Sequence, residues 1–94
     1  MSDPQVVNNE EAHRFEASGE GKTAMLTYRL HPGEIVLIHT EVPPELGGRG
    51  LGGRLAHAAL EFARARGARV VAKCEFVREY VKRHPEYADL LRNP

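Results

Sequence analysis

The 94-residue sequence predicts an α/β (α+β) domain, a three-stranded antiparallel meander followed by a βαβ crossover and a C-terminal helix. Three observations predict it. The run "TAMLTYRL" (Thr23 to Leu30) alternates Ala24, Leu26, Tyr28 and Leu30 against Met25, Thr27 and Arg29, which is strand periodicity. The run "IVLIHTEV" (Ile35 to Val42) is β-branched and apolar on both faces, as in a central strand covered on both sides. Between it and an alanine-rich helical segment lies "ELGGRGLGGRL" (Glu45 to Leu55), with five glycines. Glycine weakens the interior of a helix or strand, so such a cluster marks either a loop or a close approach of backbone to a ligand.

Taken in order, Met1 to about Asn9 reads as a frayed arm, because Asp3, Pro4 and the Asn8-Asn9 pair are turn and breaker residues. The globular domain is expected from Glu11 onward. "EAHRFEAS" (Glu11 to Ser18) reads as the first strand, with turns at "GEGK" and at "HPGE" (His31 to Glu34) on either side of the second. Pro43-Pro44 stops the third strand, since proline cannot donate to a ladder. The segment Leu51 to Gly67 sets Leu51, Leu55, Ala58, Ala59, Phe62 and Ala63 at helical spacing and closes on Arg64, Arg66 and Gly67. Arg69 to Lys73 is a short β-branched strand. Glu75 to His84 is a second helix, with Phe76, Val77, Tyr80, Val81 and His84 along one face and Pro85 ending it. A last turn, "EYADLL", packs back on the core. The unit from Ile35 to Lys73 is a right-handed βαβ crossover, so the glycine loop lies at the C-terminal end of a parallel strand, where open α/β sheets hold ligands.

Composition narrows the function. Thirteen basic and thirteen acidic side chains cancel, so bulk charge does not point to nucleic acid. The single cysteine, Cys74, forms no internal disulfide and suits a reducing compartment. No segment is apolar and long enough to cross a membrane, and "MSDPQVVNNEE" does not read as a leader. A cytoplasmic protein is expected, with no membrane and no nucleic acid among its partners. His13, His31 and His57 lack metal-ligand spacing, and no metal is expected.

Glycines at a strand-to-helix junction present backbone N–H groups to an anion, and the helix adds its positive end. A nucleotide-triphosphate loop is excluded, because no G-x-x-x-x-G-K-[ST] occurs. Gly48, Gly50 and Gly53 form a literal G-x-G-x-x-G with Glu75 downstream, but a dinucleotide fold begins with its fingerprint strand and needs further βα units, which this order of elements does not supply.

The stretch Gly47-Gly48-Arg49-Gly50-Leu51-Gly52 resembles the pyrophosphate loop Q/R-x-x-G-x-G/A of the GNAT-type N-acetyltransferases, with Gly47 in place of the usual Gln or Arg. "HTEVP" (His39 to Pro43), C-x-F-V-x-x-Y (Cys74 to Tyr80) and "HPEY" (His84 to Tyr87) follow the compact branch of that family, and the resemblance runs from about Phe15 onward. With the sequence ending at Pro94, the last strand pair of full-length relatives is expected to be missing, so acceptor specificity does not transfer.

The resemblance implies a minimal GNAT-like fold and transfer of acetyl from acetyl-CoA to a primary amine, either a small amine, a peptide N-terminus or a lysine. It implies that strand backbone from Thr40 to Val42 holds the pantetheine arm, and that the amides of Gly48, Arg49, Gly50, Leu51, Gly52 and Gly53 hold the diphosphate of coenzyme A. The Arg49 and Arg54 side chains are auxiliary phosphate contacts or simply solvated. His39 and Cys74 are expected close together at the ends of neighbouring parallel strands. His39 titrates in the range to relay the amine's proton, or is a histidine satisfied in a sheet; Glu41 is the second choice of base. Cys74 accepts the acetyl group, protonates the departing thiolate, or is a buried filler. Tyr80, at the place of the family's helix tyrosine, is the alternative general acid. The competing reading is a non-catalytic regulatory module that binds CoA or acyl-CoA and needs none of these side chains.

Overall fold

The computed structural model describes residues 4–91. Four antiparallel strands come first: β1 (Val7–Asn9), β2 (Arg14–Gly19), β3 (Lys22–His31) and β4 (Glu34–Glu41). A 3₁₀ turn (Pro44–Leu46) leads to helix α1 (Leu51–Arg66), the parallel strand β5 (Arg69–Ala72), helix α2 (Glu75–Arg83) and a second 3₁₀ turn (Pro85–Leu90). The sheet order is β1-β2-β3-β4-β5, with only the β4–β5 pair parallel. The expected meander and crossover are present.

Three expectations need correction. Residues Met1 to Asp3 of the expected arm lie outside the described residues, but Val7–Asn9 is an edge strand. Side chains hold it: Asn8 Oδ1 accepts from the Tyr28 hydroxyl at 2.7 Å and Asn9 Nδ2 donates to Glu16 at 3.1 Å. The asparagines that read as breakers are therefore the anchors.

The second correction concerns β4, which is buried on both faces only from Ile35 to Leu37; Ile38 and His39 are exposed. Phe15, Ala17, Ala24, Leu26, Tyr28, Ile35, Leu37 and Val70 point from the sheet into one core with the buried residues of both helices. The opposite face carries no helix among the described residues.

The third lies in α1. Its buried stripe is Leu51, Leu55, Ala56, Ala59, Leu60 and Ala63, rotated slightly from the expected one, with Ala58 and Phe62 on the flank. Phe62 still packs usefully, its ring 5.6 Å from Phe15 edge-on and 6.0 Å from Tyr28.

Gly67 at φ 68° ends α1 in the left-handed conformation and donates its N–H back to Arg64. In α2, Val77 and Val81 enter the core, while Phe76, Tyr80 and His84 form a parallel stripe that stays at the surface of the groove between the helices.

Candidate functional site

Pairing of β4 with β5 ends at Leu37↔Ala72, where the amides of Lys73 and Cys74 both donate to the Leu37 carbonyl at 3.0 and 3.1 Å. Pairing of β4 with β3 continues to Glu41↔Met25. From Ile38 to Glu41, then, β4 has a strand on one side only, and the backbone edge toward β5 is open to an extended ligand.

A β-bulge sits at the start of this open stretch. Tyr28 pairs with Leu37 but Thr27 pairs with His39, leaving Ile38 as the extra residue. Because side chains alternate faces, one extra residue reverses everything beyond it. Thr40, opposite the buried Leu26, turns to the helix face, and His39 and Glu41 turn to the bare face. There His39 Nε2 lies 3.5 Å from Glu41 Oε1, with both side chains well exposed. The structure thus parts His39 from Cys74, contrary to the expectation of a shared rim. The partner of Cys74 is Thr40: Oγ1 and Sγ are 3.2 Å apart, with Cys74 buried at the N-cap of α2.

Tyr80 is also not brought to Cys74. Six residues further along α2, it stands about 9 Å away in helical rise. It packs against Gly53 and its ring stacks on His84 at 4.0 Å. Burial raises its hydroxyl pKa above the usual phenol value.

The glycine loop meets α1 as the sequence suggests. Gly48 and Gly50 have φ of 78° and 71°, which side-chain-bearing residues rarely adopt. Gly50 is the N-cap, and the first amide of α1 bonded within it is Arg54 N to Gly50 O at 3.1 Å. The amides of Leu51, Gly52 and Gly53 precede it and have no helical acceptor. No side chain caps them and no acid occupies the first turn, so the positive helix end is unopposed. At Gly52 a Cβ would stand 2.6 Å from the Phe76 ring, so that exposed ring would have to shift. Gly53 is different: a Cβ would meet only Tyr80, at an ordinary 3.5 Å. Packing does not require that glycine, yet it borders two cavities, one of about 600 Å³ with Gly50, Arg54, His57 and Tyr80, the other of about 570 Å³ with Phe76, Tyr80, Arg83 and His84.

The two arginines of the loop part company. Arg49 is ion-paired to Glu20 of the β2–β3 turn, so its charge is already matched. Arg54 Nη1 is buried without a hydrogen-bond partner among the described residues, and Arg54 lines the first of these cavities. A phosphate fits this set: the N-terminal turn of α1 carries three amides without a helical acceptor, and Gly50, Gly53 and Arg54 line one cavity beside it. Val42, past the end of β4, packs partly buried against the core.

One cluster was missed in the sequence. The buried Tyr87 hydroxyl donates to Glu61 Oε2 and lies 2.9 Å from His57 Nδ1. Burial, followed by the Glu61 carboxylate, pushes the phenol up to about 12. The i,i+4 spacing of His57 and Glu61 was the available signal; the third member comes from a turn 26 residues beyond Glu61. Among the described residues, no three His, Cys, Asp or Glu side chains are grouped to hold a metal ion, and no helix is long and apolar enough to cross a membrane.

A parallel strand pair that parts just ahead of a glycine-lined helix N-terminus is the architecture of the GNAT acetyltransferase fold. The family model described as GCN5-related N-acetyl-transferase matches residues 14–90, and the chain belongs to that family. It is 34% identical over 84 residues to Protein NATD1 of Gallus gallus, covering 86% of this chain and 76% of that protein. To Protein NATD1 of Homo sapiens it is 40% identical over 63 residues, 66% of this chain; the match spans 56% of the human protein, little more than half its length. The NMR solution structure of a GCN5-like protein from Staphylococcus aureus superposes with a TM-score of 0.76 at 31% identity, covering 100% of this chain and 93% of the other.

Proposed function

We propose that this protein is an N-acetyltransferase that takes acetyl from acetyl-CoA and delivers it to a primary amine. The observation that carries the reading is the unpaired, buried Arg54 Nη1 next to the three free amides of Leu51, Gly52 and Gly53. These groups would hold the diphosphate, and the open edge of β4 from Ile38 to Glu41 would hold the pantetheine arm. Acetyl-CoA supplies the activated acetyl group.

The residues of this chain divide the proton chemistry between the two faces of the sheet. On the helix face, Thr40 and Cys74 share a hydrogen bond. When the Thr40 hydroxyl donates to Sγ, the thiol proton is free to be given to a leaving thiolate in the gap beyond Leu37. On the bare face, His39 accepts a proton from the incoming amine, and the Glu41 carboxylate 3.5 Å away stabilises the imidazolium that forms. Tyr80 walls both coenzyme cavities, and its hydroxyl is the alternative proton donor to the departing thiolate.

A second reading, a CoA-binding module without catalysis, draws on the separation of His39, Cys74 and Tyr80. Calorimetric titration with acetyl-CoA, CoA and NAD, followed by turnover on a panel of amines and peptides, decides between them. Heat with CoA and none with NAD, plus turnover lost in Cys74→Ala, supports the enzyme. Binding with no turnover on any acceptor supports the module.

A further inference from the structure

Past the diphosphate amides, the larger cavity continues along α1 to Arg54 and His57, neighbours on the helix surface at i and i+3. Among the described residues, no carboxylate lines this cavity. Arg54 Nη1 is shielded from solvent and unbonded, a state that costs desolvation unless an acceptor arrives.

His57 is held from behind. The single hydrogen of the Tyr87 hydroxyl goes to Glu61, so the hydrogen between Tyr87 Oη and His57 Nδ1 belongs to the imidazole. That fixes the tautomer and leaves Nε2 unengaged. Arg64 braces the arrangement: its guanidinium lies 5.6 Å over the Tyr87 ring and bonds Asp89 and the Glu86 carbonyl, pinning the Pro85–Leu90 turn onto α1. From Gly53 to His57 the helix rises about 6 Å, a span that a ribose carrying phosphate on both sides bridges.

We propose that His57 binds the 3′-phosphate of coenzyme A, one helical turn beyond the diphosphate held by Arg54, with Tyr87 and Glu61 as positioning residues for the His57 ring, so that the protein distinguishes coenzyme A from its dephospho form. The inference rests on the coenzyme reading above. A phosphate monoester and Nε2 share one proton between them in a single charge-assisted bond. The Glu61 carboxylate accepts the Tyr87 hydroxyl hydrogen and does not line the cavity.

Titration of the full chain with CoA and with dephospho-CoA at pH 7 tests it. The unaltered protein should bind CoA about tenfold or more tightly, the worth of one charge-assisted bond. His57→Gln, a change at an exposed position, should bring CoA to within about threefold of dephospho-CoA while leaving the affinity for dephospho-CoA unchanged. Tyr87→Phe should narrow the gap less, and the ¹⁵N shifts of the His57 ring should change from the Nδ1–H pattern to a tautomer mixture. Equal affinities for the two coenzyme forms in the unaltered protein would overturn the inference and leave the coenzyme reading intact. Equal weakening of both forms by His57→Gln would also overturn it. Binding of neither form would remove the coenzyme reading and this inference together.

Discussion

Gly53→Ala separates the demands of the fold from those of the site, because the two give effects of opposite sign. Gly53 lies within the first turn of α1 and its φ is not positive. A methyl group there meets only the Tyr80 ring, at 3.5 Å, so nothing in the protein has to move. Replacing glycine by alanine at a compatible helical position stabilises by about 0.4–1 kcal/mol, chiefly by restricting the unfolded chain. For a domain of this size that raises Tm by roughly 2–8 °C. Yet the methyl stands where both cavities meet, between the free amides and Arg54, and should weaken CoA binding by about tenfold or more, or 1.4 kcal/mol. Thermal unfolding by circular dichroism and titration with CoA read the two effects on one sample. Gly50→Ala is the control, since φ of 71° makes it cost about 1–2 kcal/mol of stability. A Gly53→Ala protein that is more stable and binds CoA undiminished would refute the placement of the diphosphate. One that is less stable would refute the packing argument.

The remaining predictions concern single groups. Arg49→Ala removes an exposed pair with Glu20, so stability should stay within about 0.5 kcal/mol and CoA affinity within about threefold; a larger loss of affinity by calorimetry would return Arg49 to the phosphate. Cys74→Ala should leave CoA binding intact and lower kcat about a hundredfold or more in a thiol-release assay, whereas equal rates would leave Cys74 as core filler. The phenol of Tyr87 is raised to about 12 from an unfolded value of 10.0, so the folded state holds its proton more tightly. Its contribution to stability is complete below pH 10 and lost as pH rises toward 12. Denaturant unfolding should therefore show a fall over that range that is shallower in Tyr87→Phe. It does not vanish there, because burial raises Tyr28 and Tyr80 in the same direction; identical curves for the two proteins would contradict the shift.

The strands and helices could be read from local pattern because each has a stop signal beside it: Pro43-Pro44 after β4, Gly67 after α1, Pro85 after α2. The glycine loop was equally plain, since Gly48 and Gly50 supply the positive φ that the turn into α1 needs. What local pattern could not show was set by pairing between distant residues. β1 depends on Asn8 meeting the hydroxyl of Tyr28, 20 residues on, and neither residue advertises the other. The commitment of Arg49 to Glu20 required knowing that the β2–β3 turn reaches the loop. The bulge at Ile38 carries no glycine or proline to mark it, and an isoleucine inside an apolar run reads as one more core position. His39 was expected beside Cys74 because both end neighbouring parallel strands, and that unmarked residue turns its side chain to the other face.

The bulge also explains how one strand can serve two reacting partners. Without the bulge, with Ile38 regularly paired, strict alternation would aim His39 and Glu41 at the helices along with Ile35 and Leu37, and a histidine and a carboxylate would have to be desolvated in an apolar core at a cost of several kcal/mol. With it, the polar pair is solvated on the face that carries no helix, and Thr40 alone enters the helix side, where Cys74 bonds its hydroxyl. The bulge lies at the point where β5 departs, so the two faces communicate through the gap between the strands and nowhere else along β4. In the proposed reaction, a group held along the open edge of β4 is reached by a proton donor from one face and by an amine with its base from the other. Deleting Ile38 should therefore leave His39 opposite Thr27 and Thr40 opposite Leu26, on their present faces, and lower turnover less than loss of either His39 or Cys74; turnover abolished by the deletion would contradict the assignment of the bulge's role to the faces it sets.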